Sequence, residues 1–79
     1  MNWIWTKHVK QQMKERDISS SMIESTLNYP DSMVEGSNGR TIYQKKIDGK
    51  MIRVITEQNK IITAYITNKI EKYMGGLIL

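Results

Sequence analysis

Apolar residues recur along this chain first at helical spacing and later at strand spacing. Asn2 to Arg16 contains no Gly or Pro, and Trp5, Val9 and Met13 repeat at i, i+4, as an amphipathic helix requires. That pattern predicts a first helix over about 3–16, broken at Asp17-Ile18. Ser19 is a good N-cap for a second helix over about 20–28, because Ile18 at N′ and Ile23 at N4 then form a hydrophobic staple. Met22, Ile23, Thr26 and Leu27 supply its buried face. Asn28-Tyr29-Pro30 ends it: Asn tolerates a left-handed position, and the residue before Pro is pushed out of the helical region.

After Pro30 the period falls to two and turn residues become regularly spaced, which predicts an antiparallel meander over about 32–67. A weak strand at 32–35 precedes a loose turn, Gly36-Ser37-Asn38-Gly39. Strands at 41–47 and 50–57 flank Asp48-Gly49, the strongest hairpin signal in the chain, since both central residues of a type I′ turn need positive φ. Gln58-Asn59 leads into a strand at 60–67 whose Ile61, Ile62, Ala64 and Ile66 suit burial on both faces, so it is expected to be central. One helical turn over 68–74 and a tail, Gly75-Gly76-Leu77-Ile78-Leu79, complete the reading. The expected fold is α+β: two N-terminal helices on a three- to four-stranded antiparallel sheet, in a single domain over 1–79.

A two-residue turn at Asp48-Gly49 pairs Lys46 with Met51, Gln44 with Arg53 and Ile42 with Ile55. Lys46, Gln44 and Arg53 then share one face. Lys45, Tyr43, Ile52 and Val54 share the other, joined by Thr63, Tyr65 and Thr67 if the second turn is equally short. Pattern alone does not tell which face the helices cover.

Composition narrows the chemistry. There is no Cys, so disulfides, thiolate metal sites and cysteine nucleophiles are excluded, and the single His makes a zinc site a poor fit. Without Phe, the interior falls to Ile, Met, Trp and Tyr. No apolar run approaches the roughly 20 residues of a membrane span, and the N-terminus lacks the order of a signal peptide, so a cytoplasmic, soluble protein is expected. The net charge of +4 is uneven: residues 1–39 hold four Lys/Arg against five Asp/Glu, residues 40–79 eight against three. The sheet half therefore carries the positive field, as a surface that meets phosphates would.

On a helical wheel His8, Gln12 and Arg16 fall inside or beside the apolar arc of the first helix, while Lys7, Lys10 and Lys14 point away. A polar ridge on the core side costs free energy unless each group finds a partner. Two explanations stand: His8 is a satisfied core imidazole and Arg16 caps helix carbonyls or pairs with Glu15 or Asp17; or the ridge borders a cleft, with His8 titratable and Arg16 an anion contact. Arg53, mid-strand between Ile52 and Val54, invites the same question. No phosphate-cradling glycine loop, HExxH, GxSxG or paired-carboxylate set is present, which sets aside dinucleotide, zinc-protease and α/β-hydrolase functions.

The stretch from Lys7 through His8, Gln12 and Arg16 to Asp17-Ile18, with a second helix closing at Asn28-Tyr29-Pro30-Asp31, resembles the opening of domain-of-unknown-function family 4258. Gly39-Arg40, Lys45-Lys46, Met51-Ile52-Arg53-Val54-Ile55 and Ile62-Thr63-Ala64-Tyr65-Ile66-Thr67 resemble its second half. The sequence departs from that pattern at Gln12, where Arg is common, and at Asp17, where Gly is usual. The resemblance implies a fold similar to the small RelE-like, barnase and colicin ribonucleases and toxins, with no cofactor and no metal. It implies His8 as general acid/base, Arg53 as stabiliser of charge on a phosphate, and Thr67 or Tyr65 as the residue positioning substrate. Arg16, Gln12, Arg40, Lys45, Lys46 and Tyr65 are the expected nucleic-acid contacts. Expected partners are RNA, a cognate antitoxin or another protein, and a second copy through the C-terminal tail; no membrane is expected. A non-catalytic RNA- or protein-binding module is the alternative.

Overall fold

The structure is a computed structural model that describes residues 2–70. Its elements are β1 (Ile4–Trp5), α1 (Lys7–Arg16), α2 (Ser20–Asn28), β2 (Ser32–Glu35), a 3-10 turn (Ser37–Gly39), β3 (Arg40–Ile47), β4 (Lys50–Glu57) and β5 (Lys60–Thr67). The strands form one five-stranded sheet in the order β1-β5-β4-β3-β2.

Three expectations are overturned here. Ile4 and Trp5 do not open the first helix; they pair in parallel with Lys60 and Ile61, so the sheet is mixed and five-stranded rather than antiparallel with three or four strands. The helix starts only at Lys7, because Thr6 is its N-cap: the Thr6 hydroxyl accepts the Val9 N–H at 3.2 Å and donates to the Ile61 carbonyl at 2.7 Å. One side chain thus ends a strand and begins a helix. The middle strand is β4, not β5, and five of its eight residues are buried.

Local signals set the other boundaries. Asp17 ends α1 in the left-handed region (φ 58°), its N–H bonded to the Met13 carbonyl. Ser19 caps α2 by accepting the Met22 N–H at 3.2 Å. Asp48 (φ 50°) and Gly49 (φ 77°) make the tight turn between β3 and β4, and the register runs from Ile47↔Lys50 to Arg40↔Glu57 without interruption.

Both helices pack on the face of the sheet that carries Ile52 and Val54. Val9, Ile18, Ile23 and Leu27 meet Ile52, Val54, Ile61 and Ala64 in one core, bordered by half-buried Trp3, Trp5, Met13, Met22, Tyr43, Ile47 and Ile66. Each fully buried aliphatic side chain contributes about 1.5–3 kcal/mol, so this cluster supplies the main drive to fold. Trp3 adds an edge-to-face contact with Tyr43, ring centroids 5.9 Å apart. From residue 71 onward the expected helical turn and tail lie outside the described residues, and so does a dimer contact through that tail.

Candidate functional site

Which side chains share a face is decided by a single irregularity. A plain two-residue turn at Gln58-Asn59 would set Val54 opposite Thr63. Instead the register shifts between Ile55 and Thr56, and the pairs become Ile55↔Thr63, Val54↔Ala64, Arg53↔Tyr65 and Met51↔Thr67. One extra residue on β5 reverses the facing of everything beyond it. Thr63, Tyr65 and Thr67 therefore stand with Arg53, not with Ile52 and Val54 as the short-turn count expects.

Across the face opposite the helices, one register row runs over four strands: Ser32↔Gln44, Gln44↔Arg53, Arg53↔Tyr65. The row is also a hydrogen-bonded chain. Arg53 Nε donates to Gln44 Oε1 at 2.7 Å, Gln44 Nε2 donates to Ser32 Oγ at 2.7 Å, and Arg53 Nη1 donates to the Tyr65 hydroxyl. The guanidinium carbon lies 5.7 Å from the centre of the Tyr65 ring, in cation–π range. Gln44 is fully buried, so its amide must be bonded at both ends, and the two bonds fix its orientation. Arg53 is thereby held as a half-buried, oriented cation. Gln44 and Ser32 were not among the expected site residues, although the hairpin register already places Gln44 beside Arg53.

The polar ridge of α1 has a different destination. Among the described residues no strand lies beside β5 beyond Ile61 on its outer edge, and α1 side chains take that place at Ala64. Gln12 Oε1 accepts the Ala64 N–H at 3.1 Å and the Thr63 hydroxyl at 2.6 Å, while Arg16 Nη1 donates to the Ala64 carbonyl at 2.9 Å. Gln12 is buried. Arg16 reaches neither Glu15 nor Asp17 as an ion pair. Two of the three ridge residues are thus committed to backbone satisfaction, a need created by the sheet edge and invisible on a helical wheel.

His8, the third, is exposed rather than sealed in the core. It lines a shallow hollow with Arg40, Ile62 and Thr63. Arg40 and Thr63 stand an even number of residues from Gln44 on β3 and Tyr65 on β5, so this hollow opens at the Arg53 side of the sheet. Arg40 Nε lies 3.5 Å from Glu57 Oε1, and both side chains are about half exposed, which makes the pair weak. The Thr67 hydroxyl accepts the Lys69 N–H at 3.0 Å. Lys45 Nζ donates to the Tyr29 carbonyl at 2.8 Å, where it caps the end of α2. Lys46 is exposed, and its main-chain N–H donates to Asp31 Oδ2 at 2.7 Å.

The expected site residues therefore divide. Arg53 and Tyr65 are in contact, Thr67 lies one pair further along their face, and His8 and Arg40 border one hollow beside it. Gln12, Arg16 and Lys45 turn their polar groups to main-chain partners. Among the described residues no group of three or more His, Asp or Glu is placed to hold a metal ion, and no helix is long and apolar enough to cross a membrane.

A family model described as a domain of unknown function, DUF4258, matches residues 5–66. The chain belongs to the DUF4258 family. The matched span takes in His8, the β5 edge contacts and the whole Ser32–Tyr65 row, and stops one residue short of Thr67. No match was found among curated proteins, and none among solved structures, so a kinship between this DUF4258 chain and RelE-like ribonucleases has no named relative behind it.

Proposed function

We propose that this DUF4258 domain is a metal-independent RNA-cleaving domain. The observation that carries the reading is the shared side of the sheet: the chain's single imidazole borders a hollow on the same side as an oriented guanidinium and the hydroxyls of Thr63, Tyr65 and Thr67. In the reaction the ribose 2′-oxygen attacks phosphorus, the bond from phosphorus to the 5′-oxygen breaks, and a 2′,3′-cyclic phosphate and a 5′-hydroxyl result. His8 takes the proton from the 2′-hydroxyl as its oxygen attacks and gives a proton to the departing 5′-oxygen, directly or through water, so that it ends as it began. Arg53, already aimed by Gln44 and Tyr65, meets the charge that builds on the phosphate without reorganising. Thr67 or Tyr65 positions the substrate. No step needs a metal, because proton transfer and cationic stabilisation suffice.

The test is incubation of purified protein with RNA in excess EDTA. Fragments ending in 2′,3′-cyclic phosphate are expected, and His8→Ala should slow their release by about 10²- to 10⁴-fold. Arg53→Lys, which keeps the charge but not the fork, should also slow it. Intact RNA after long exposure to concentrated protein would sink the reading.

A second reading is favoured by one observation: Arg53 already spends Nε and Nη1 on Gln44 and Tyr65. On that reading the domain holds RNA without cutting it. Binding would then be salt-sensitive, would weaken on removal of Arg40 or Lys46, and would ignore His8.

A further inference from the structure

The outward face of α1 is unexplained by the fold. Lys7, Lys10 and Lys14 are all exposed and, with Gln11, line one shallow trough along the helix. Spacings of three and four residues put the three ammonium groups on one stripe. Among the described residues none has a carboxylate partner, the ion pair there being Arg40 with Glu57, on the sheet. The first turn of α1 holds no acidic residue and begins with Lys7, where the positive end of the helix dipole disfavours a cation. Like charges at this spacing also repel. Lys14, in the last turn, suits the helix dipole. At Lys7 and Lys10 helix stability would be better served by Glu or Gln, so the stripe as a whole needs another reason.

We infer that this lysine stripe is a track for the phosphate backbone of an RNA strand, outside the hollow at His8. The inference rests on the RNA reading above and adds a surface to it. A lipid headgroup layer suits the stripe poorly, because a helix lying on a membrane must offer it an apolar face, and the apolar face of α1, Val9 and Met13, packs on the sheet. A protein partner suits it poorly too, since the cores of protein interfaces are depleted in Lys and rich in aromatic anchors, and the trough holds none. Flexible point charges on a polar face match a repeated, sequence-independent anion. Gln11, lying among the lysines, offers a donor and an acceptor to the sugar.

The experiment uses the full chain and a 2′-O-methyl oligonucleotide, which binds but has no 2′-hydroxyl to attack. Affinity is measured against salt for the wild type, for the triple variant Lys7→Gln, Lys10→Gln, Lys14→Gln, and for the matching triple Lys→Arg variant. Loss of three phosphate contacts should flatten the log–log salt slope by about 2. The Arg variant should restore it, and the thermal midpoint of the Gln variant should be unchanged or raised. Equal slopes and affinities for wild type and Gln variant would overturn the inference, as would binding to anionic vesicles without binding to the oligonucleotide. Cleavage with lysine-independent binding overturns the track and leaves the nuclease reading standing. Lysine-dependent binding without cleavage overturns the nuclease reading and supports the track.

Discussion

Gln12 of α1 and Ala64 of β5 are joined as one strand is joined to the next: the glutamine carbonyl accepts the Ala64 N–H at 3.1 Å, and Arg16 one turn later returns a donor to the Ala64 carbonyl at 2.9 Å. Replacing Gln12 by Met keeps the volume and removes the acceptor, leaving the Ala64 N–H and the Thr63 hydroxyl without it. The expected cost is about 1–3 kcal/mol, read as a lower urea midpoint with an unchanged m-value. A midpoint equal to wild type would show that water replaces the amide at no cost.

Thr6 holds a comparable junction. Thr6→Val keeps the shape of the side chain but loses both the cap on Val9 and the bond to Ile61. A loss of about 1–2 kcal/mol is expected, with faster amide exchange at Val9 as the local marker.

Asp17 sits at φ 58° at the C-terminal end of α1, a conformation that glycine adopts freely, and its charge opposes the helix dipole there. Asp17→Gly should raise stability by about 0.5–1 kcal/mol in chemical denaturation. Asp17→Asn separates the two causes, since it removes the charge and keeps a side chain at positive φ.

Arg53 and Gln44 depend on each other. Arg53→Met should destabilise by about 1–3 kcal/mol, because the buried Gln44 amide loses its donor. The double variant Arg53→Met, Gln44→Leu should cost less than the sum of the singles, a coupling that a double-mutant cycle measures directly.

How much of this could be read without coordinates follows the range of each interaction. The cap at Ser19, the break at Asp17-Ile18, the stop at Pro30 and the Asp48-Gly49 hairpin are set by neighbours within a few residues, and the sequence predicts each of them, though not that Asp17 itself is the left-handed C-cap. β1 was hidden because two residues carry no period, and its partner lies over fifty positions away. The shift at Ile55/Thr56 has no local mark beyond the turn at Gln58, yet it alone decides that Tyr65 and Thr67 join Arg53. The oddity of His8, Gln12 and Arg16 was legible as a polar ridge. Its resolution was not, because two of the three answer main-chain groups on β5 that a wheel cannot display.

Sealing β5 with side chains also governs how the molecule meets its own kind. An open strand border recruits passing chains into shared sheets, the first step toward aggregates. Here a helix denies strangers that lateral foothold at Ala64, and variants that unseat Gln12 or Arg16 would restore it. Loss of these two contacts would thus be felt as clumping in concentrated samples in addition to the lower stability.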